Sequence, residues 1–327
     1  MMQIEKNKDY TVTITDVTNL GDGIAKLDGY TLFIPGTVTG DVAEIKAIKL
    51  KKNYGYGKLN KLLTPSPHRA QPLCPVHRQC GGCSLMHMSY DYQKELKTKY
   101  VKEVLTRIGK VENPNVLPCL GMEHPYEFRN KMIFPISKNK EGQAVFGFYA
   151  KHSHRVVTFP RCYIGEEIFS SIAQTTVDFM NRYHIPPYDE IMDTGAIRRV
   201  FLRKGYHTGE IMVVISSNQR NIPHLELLVE QLKGLDEHIV SILLNINQGI
   251  NNQMLGKENI LLWGRETITD QLCGNTFRIS PHSFYQVNPL QTQVLYETAL
   301  DYAQLTGEET VYDLYCGIGT ISLAAAQ

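Results

Sequence analysis

Short alternating segments fill residues 10–62 and predict a small β-barrel. Polar and apolar side chains alternate along Tyr10–Ile14 and again along Asp41–Ile48. A glycine turn at Gly21–Gly23 lies between these segments, and the apolar segment Leu32–Ile34 ends at a Pro-Gly pair. Five short strands within about 60 residues are typical of an oligonucleotide-binding type of barrel.

Helical spacing first appears after the Pro-containing linker Thr64–Pro67. Ser89 is a good N-cap, and apolar side chains three and four residues apart continue to Ile108. Gly109 is a plausible stop. The pattern predicts a helix of about twenty residues whose apolar stripe packs on another element.

Residues 118–280 mix both periodicities and predict an α+β domain. Strands are expected at Val145–Phe148 and Val240–Ile246, and a hairpin is expected to join Arg199–Arg203 to Glu210–Ser216. Helical spacing at Ile168–Met180, with a further run at 225–232, adds two helices to this region.

The last eighteen residues carry the most specific pattern. An apolar run, Thr310–Tyr312, leads into Asp313, a G-x-G turn at Gly317 and Gly319, and an apolar stretch from Thr320 onward. This order predicts strand, turn and helix, as at the start of a Rossmann-like sheet where a cofactor approaches bare backbone. Such a sheet needs roughly 100 further residues, so we expect this domain to be incomplete here.

Composition adds few constraints. The chain has 327 residues, which suggests two or three domains, and no apolar run approaches the ~20 residues of a membrane span. The first ten residues are polar and differ from a secretory signal. We therefore expect a cytoplasmic protein, and a monomer with no membrane partner.

The net charge of +1 conceals an asymmetry. Residues 1–110 contain 17 Lys and Arg against 10 Asp and Glu, whereas residues 111–327 contain 17 against 23. Lys51 and Lys52 adjoin Tyr54, and such a mixture suits single-stranded nucleic acid, whose bases stack while its phosphates pair with lysine. The alternative is a solvated face with half-buried tyrosines.

Seven cysteines occur in a chain that otherwise looks cytosolic, which argues against disulfides. Cys74, Cys80 and Cys83 form a C-x5-C-x2-C cluster with two glycines inside it. Three interpretations remain open: an iron–sulfur cluster with a fourth thiolate, a zinc site completed by cysteine or by His77 or His87, and free thiols. Cys162, in a turn-rich segment, is the best distant ligand candidate.

Together these segments resemble the RNA 5-methyluridine methyltransferases that modify bacterial 23S ribosomal RNA. Residues 16–36 resemble a TRAM domain, a small RNA-binding barrel, through Asp16, the segment Gly21–Ala25 and the segment Phe33–Gly36. Cys74, Cys80, Cys83 and Cys162 resemble that family's ligands to a [4Fe–4S] cluster. Phe284-x-Gln286-x-Asn288 and Asp313–Gly319 resemble its segment for S-adenosylmethionine.

The resemblance implies roles for individual residues. Cofactor contacts are expected from six residues: Gln286, Asp313, Tyr315, Gly317, Gly319 and Thr320. RNA contacts are expected from Arg129, Lys131, Phe284, Asn288, Lys51, Lys52 and Tyr54. Phe284 would stack on the target base or its neighbour, since a flipped base offers a π-face and an edge. On the residues alone, Phe284 as a core residue and Tyr315 as a buried strand residue remain alternatives.

The resemblance also implies the domain layout. We expect a TRAM barrel at 1–63, a central α+β domain with the iron–sulfur loop at 64–88 and 118–280, and part of a methyltransferase domain at 89–117 and 281–327. The helix beginning at residue 89 would then pack against the methyltransferase domain.

The implied reaction is methylation of uracil C5 in RNA through a cysteine adduct at C6. No residue of this chain matches the family's nucleophilic cysteine or its carboxylate base, so we expect this polypeptide to bind RNA without methylating it. The alternatives are a non-catalytic RNA-binding iron–sulfur module, or transfer RNA as the substrate.

Overall fold

The computed structural model describes residues 4–327. The chain forms two compact units, which divide between Gly121 and Met122. No helix among the described residues is both long enough and apolar enough to cross a membrane.

The first unit contains the predicted barrel. Its strands are β1 (Asp9–Val17), β2 (Asp22–Leu27), β3 (Tyr30–Pro35), β4 (Val42–Leu50) and β5 (Tyr54–Thr64). The sheet closes in the order β1-β2-β3-β5-β4. Alternate side chains point inward and form the barrel core, which includes Val12, Ile14, Leu32, Ile34 and Ile45. The predicted five-stranded barrel is therefore confirmed.

A buried ion pair fixes the segment that follows β5. The carboxylate of Asp41 is fully buried and accepts hydrogen bonds from the Nε (2.8 Å) and Nη2 (2.7 Å) of Arg69. It also accepts from the backbone N–H groups of Val38 (2.6 Å) and Ser66 (2.9 Å). Four donors on one carboxylate join the turn before β4 to the chain beyond the barrel.

The predicted helix begins where the N-cap indicated. It is α1 (Tyr90–Arg107), and the Ser89 side chain accepts a hydrogen bond from the Tyr92 N–H. Tyr92 and Leu96 pack on the Val17 and Val38 side chains of the barrel unit. The later apolar positions of its stripe stay more than a third exposed; they include Tyr100, Val101, Leu105 and Ile108.

The second unit is built on a seven-stranded mixed sheet. Its strands are β6 (Lys131–Lys138), β7 (Ala144–Tyr149), β8 (Val156–Thr158), β9 (Ile197–Lys204), β10 (Ile211–Ser217), β11 (Ile239–Ile246) and β12 (Glu258–Gly264). Their order is β12-β11-β10-β9-β6-β7-β8. The predicted hairpin is β9 with β10, which pair antiparallel. Two helices pack on the sheet, α2 (Glu167–Arg182) and α3 (Leu225–Lys233).

A second layer of structure covers the other face of this sheet. It consists of β13 (Ile268–Leu272), β14 (Asn275–Ile279), α4 (Pro289–Ala303) and α5 (Thr320–Ala325). Phe201, Met212 and Leu243 of the sheet share one apolar core with this layer. Because both faces are covered, every residue of β10 is buried. Asn288 caps α4 and Pro289 is its first residue.

The predicted strand Thr310–Tyr312 is wrong. These residues are neither helix nor strand, and none of the fourteen described strands pairs with them. Val311 is 54% exposed and Tyr312 is 82% exposed. A parallel strand is stabilised by its neighbours and by the layers on its faces, and this segment has neither. Of the predicted strand, turn and helix, only the turn and the helix form.

Replacement of Arg69 by methionine tests the ion pair of the barrel. The change leaves the fully buried Asp41 carboxylate without its cation, and we expect a loss of about 3 kcal/mol in the free energy of unfolding of this unit. Denaturant-dependent hydrogen exchange of barrel amides measures it. Lys8→Met, which removes a surface pair with Glu5, is the control. Equal stability of the two variants would show that the pair contributes nothing.

Candidate functional site

The segment Arg129–Lys131 attaches loop 281–288 to the sheet. The buried Asn130 side chain donates through Nδ2 to the carbonyl oxygen of Gln286 (3.0 Å). Its backbone N–H donates to the carbonyl of Val287 (3.0 Å), and its own carbonyl accepts from the Lys204 N–H (2.8 Å). One residue therefore connects β9 to the loop that leads into α4.

Arg203 holds the other half of the same loop, and sequence reasoning missed this residue. Its side chain is only 5% exposed, and Nη2 donates to the carbonyl oxygens of Ser283 and Pro281, the latter at 3.3 Å. Burial lowers the pKa of Arg203 to about 10. A buried guanidinium bonded only to neutral carbonyls retains an uncompensated positive charge.

Three cations meet at this point, and we call Arg129, Lys131 and Arg203 the cation cluster. Lys131 lies opposite Arg203 in the β6–β9 register. Its pKa is lowered by burial and by repulsion from Arg203 and Arg129. Within residues 4–327, no carboxylate forms an ion pair with any of the three, whereas the nearby Lys204 and Arg161 are paired. Such a site suits an anionic ligand.

Two neighbouring aromatic side chains of loop 281–288, Phe284 and Tyr285, differ in exposure. Tyr285 is buried, and its hydroxyl donates to the Asp270 Oδ2 at 3.2 Å. That buried environment raises the pKa of Tyr285. Phe284 is 68% exposed, so it is not a core residue in this structure. The anchored tyrosine therefore holds its aromatic neighbour at the surface.

Gln286 and Asn288 have different environments. The Gln286 side chain is partly buried, and its carbonyl is held by Asn130. The Asn288 Oδ1 accepts the N–H of Gln291 (3.2 Å) as the cap of α4, and its Nδ2 contacts the Sδ of Met122 (3.0 Å). In this structure Asn288 therefore acts as the N-cap of α4, and its contact with RNA stays a prediction.

The glycine turn before α5 exposes its backbone. Gly317, Gly319 and Tyr315 have φ values of 59°, 76° and 67°, which lie in the left-handed region. A Cβ at Gly317 would meet no atom within 4 Å, so open space borders this turn. Tyr315 is fully exposed, which excludes the buried strand alternative in this structure.

Side chains beside the glycine turn are tied to the surrounding helices. The Asp313 carboxylate accepts a hydrogen bond from the Ser322 hydroxyl, and the Thr320 hydroxyl lies 2.7 Å from that of Tyr296. Ile318 and Ile321 pack on the apolar core that also contains Tyr285. The turn and loop 281–288 thus rest on one core, in one unit.

The cysteine cluster is not arranged as a metal centre. Cys80 is buried, and its Sγ accepts the Gly82 N–H at 3.3 Å. Burial and the neighbouring Cys74 raise the pKa of the Cys80 thiol. Across residues 4–327, no three His, Cys, Asp or Glu side chains are placed to hold a metal ion. Cys162 belongs to the other unit, where its N–H donates to the Ser170 Oγ (3.2 Å).

The barrel carries a separate aromatic cluster. Phe33, Tyr54 and Tyr56 meet with ring centroids 5.8 to 5.9 Å apart, and both tyrosines are more than a third exposed. Lys51 and Lys52 are exposed in the adjoining turn. Phe33 was not among the predicted contacts; the parallel β3–β5 pairing, which places it beside Tyr56, could not be deduced from the sequence.

The chain is similar to several known proteins. The TRAM domain family matches residues 3–59. An uncharacterized RNA methyltransferase of Clostridium tetani is 41% identical over 99% of this chain and 70% of its own length. Another, from Halalkalibacterium halodurans, is 44% identical over the same shares.

One solved structure is similar over most of the chain. It is the crystal structure of the Pyrococcus abyssi tRNA (uracil-54, C5)-methyltransferase in complex with S-adenosyl-L-homocysteine. The TM-score is 0.71 and the sequence identity 26%, over 95% of this chain and 69% of that one. The fold of this chain is therefore similar to that of a tRNA (uracil-54, C5)-methyltransferase over 95% of its length.

The variant Arg203→Met tests the attachment of the loop. It removes the donor to the Ser283 and Pro281 carbonyls, and hydrogen bonds from charged donors contribute about 1.5–3 kcal/mol. We expect amide hydrogen exchange in loop 281–288 to become about tenfold faster or more. Arg278→Met, on the exposed side of β14, is the matched control. Unchanged exchange in the loop would contradict the assigned role of Arg203.

Proposed function

We propose that this chain, which belongs to the RNA methyltransferase family of these relatives, serves methylation of uracil C5 in RNA. In this proposal the substrate is 23S ribosomal RNA. One observation carries the proposal. The cation cluster lies directly beneath loop 281–288, which presents the exposed Phe284. Cations for phosphates beside an aromatic ring for a base are what recognition of a flipped nucleotide requires.

The chain's own residues would act mainly by positioning RNA. Arg129 and Lys131 would bind phosphate oxygens, because no carboxylate among the described residues competes for them. Phe284 would stack on the target base or on its neighbour. Arg203 and Asn130 would keep the loop in place and are therefore positioning residues.

The barrel would supply a second contact with RNA. Tyr54 and Tyr56 offer partly exposed rings, and Lys51 and Lys52 lie at one end of this surface. Aromatic rings beside lysines bind single strands with little sequence preference. This surface would add affinity, while loop 281–288 selects the base.

The residues at the glycine turn fit S-adenosylmethionine. The left-handed backbone at Gly317 and Gly319 leaves open space that a larger residue would occupy, which allows a ligand to approach the backbone closely. Gln286, Asp313, Tyr315 and Thr320 would complete the contacts. When bound, the cofactor supplies an electrophilic methyl group. These residues would hold the methyl group of the cofactor beside the base.

The catalytic step of the proposal needs a cysteine thiolate at uracil C6 and a carboxylate base. None of the chain's seven cysteines is assigned as that nucleophile. Cys316 is exposed within the glycine turn, where the cofactor would bind. We therefore propose that the polypeptide of 327 residues binds RNA and does not by itself methylate it.

The proposed [4Fe–4S] cluster rests on the spacing of Cys74, Cys80 and Cys83 and on the resemblance, with Cys162 as the fourth ligand. The described side chains do not fit a metal site as they lie, and no chemical step is derived from the cluster. Zinc remains the alternative that the spacing allows.

Metal analysis separates these alternatives. After anaerobic purification we expect about four iron and four sulfide per chain, as four-thiolate clusters hold. The matched control is Cys119→Ser, which alters a cysteine outside the proposed ligand set. Stoichiometric zinc without sulfide would show that the cluster assignment is wrong.

Transfer RNA is the second candidate substrate, because the similar solved structure is that of a tRNA (uracil-54, C5)-methyltransferase. Binding of a 23S ribosomal RNA fragment and of transfer RNA, measured side by side, discriminates the two. Tighter binding of the ribosomal fragment at equal salt supports our choice, and the reverse order supports transfer RNA.

Phe284→Ala tests the loop itself. Stacking of a base on an aromatic ring contributes about 1–3 kcal/mol, so RNA affinity should fall at least fivefold. Leu227→Ala, a comparable truncation of an exposed side chain on α3, should bind as the unmodified chain does. Transfer of tritiated methyl groups to RNA by residues 1–327 alone would overturn the view that this polypeptide lacks activity.

A further inference from the structure

A second concave site lies at the far end of β6 from the cation cluster. It is a cavity of about 240 Å³ lined by β6, β7 and β8 and by the loop of residues 187–191. We call it the Tyr149 pocket; its polar and aromatic lining includes Lys138, Tyr149, His154, Tyr188, Arg198 and Arg199. Ser137 follows Lys131 by six positions along β6, which is about 20 Å in a strand. The pocket is therefore distinct from the site at loop 281–288.

A rigid buried guanidinium forms part of the pocket wall. Arg198 is 4% exposed, and its two Nη atoms donate to the carbonyl oxygens of Asn247 (2.8 Å), Gly249 (2.8 Å) and Asn251 (3.4 Å). Its Nε has no hydrogen-bond partner in the part of the chain that the structure describes. The side chain is held in place while one donor remains unused.

The lining carries three fixed cations, Lys138, Arg198 and Arg199, against two carboxylates, Asp189 and Glu190, so its formal charge is +1 with His154 neutral. In the described residues Lys138, Arg198 and Arg199 form no ion pair with a carboxylate. The acidic groups nearby already have partners: Asp189 accepts two turn N–H groups, Glu190 pairs with His154 at 2.6 Å, and Asp193 accepts the Tyr188 hydroxyl. An anionic group entering the pocket would meet this small excess of cations, beside carboxylates that already accept hydrogen bonds.

Aromatic rings form the rest of the wall. Tyr149 is 37% exposed, and its ring lies 5.6 Å from that of His154. Tyr188 stacks on Arg198 with the guanidinium carbon 4.0 Å from the ring centre, so this ring is already covered on one side. Tyr149 is therefore the ring most available to a planar ligand. Rings beside unpaired cations match a nucleotide, which joins a flat base to a phosphate.

We propose that the Tyr149 pocket binds one nucleotide of a single-stranded segment of the RNA, outside the segment that is methylated. The base stacks on Tyr149, and the phosphate pairs with the exposed Lys138. A cavity of about 240 Å³ is too small for a duplex. This inference rests on the proposed function, because it assumes that the chain binds RNA.

A free mononucleotide shares this chemistry, so the experiment compares both sources. The full chain is titrated with a fluorescein-labelled single-stranded oligouridylate and, separately, with uridine monophosphate. The variants are Tyr149→Ala, Tyr149→Phe and Lys138→Ala. Lys140→Ala removes the same charge from the adjacent β6–β7 turn, does not line the pocket, and is the matched control.

We expect Tyr149→Ala to weaken oligouridylate binding about tenfold, within the range for loss of one stacked base, and Tyr149→Phe to restore it. Lys138→Ala should reduce the slope of log affinity against log salt by about 0.7, the value for one phosphate contact on a single strand. Lys140→Ala should leave both quantities unchanged.

The contrary outcomes are distinguishable. If the chain binds the oligouridylate but the Tyr149 and Lys138 variants bind it equally well, the pocket proposal is wrong and RNA binding stands. If uridine monophosphate binding depends on Tyr149 while oligouridylate binding does not, the occupant is a free nucleotide and the proposal is also wrong. Absence of any RNA binding overturns both this inference and the proposed function.

Discussion

The position of loop 281–288 depends on hydrogen bonds from two residues of the sheet region, Asn130 and Arg203. Asn130 holds the carbonyls of Gln286 and Val287, and Arg203 holds those of Ser283 and Pro281. The donors belong to β9 and to the residue before β6, so their hydrogen bonds hold the loop against the sheet. That arrangement fixes Phe284 at the surface and joins the cation cluster to α4.

Buried arginine side chains recur at two places on the second unit. Arg203 at the cation cluster and Arg198 at the Tyr149 pocket lie among carbonyls and rings, and neither forms an ion pair with a carboxylate in the described residues. Burying unpaired charge lowers stability, so such arrangements are expected where a ligand supplies the opposite charge. A polyanion with exposed bases is the ligand that suits both places.

Features that depend on neighbouring residues could be predicted from the sequence. Features that depend on strand order and register could not. The Ser89 cap and the β9–β10 hairpin follow from neighbouring residues, and both were confirmed. The role of Arg203 could not be predicted from the sequence, because it depends on the strand register that places Arg203 opposite Lys131. The Tyr149 pocket likewise needs strand order. The prediction of a strand at Thr310–Tyr312 was wrong, because an apolar run forms a strand only where other strands pair with it.

The proposed function requires that loop 281–288 faces RNA. The most direct measurement replaces Phe284 with the photoreactive residue p-benzoylphenylalanine and irradiates the chain with radiolabelled 23S ribosomal RNA fragments. We expect strong crosslinking of the RNA to p-benzoylphenylalanine at position 284. The same residue at the position of Leu227, which is exposed on α3, should crosslink little. Equal, background crosslinking from both positions, with binding retained, would contradict it.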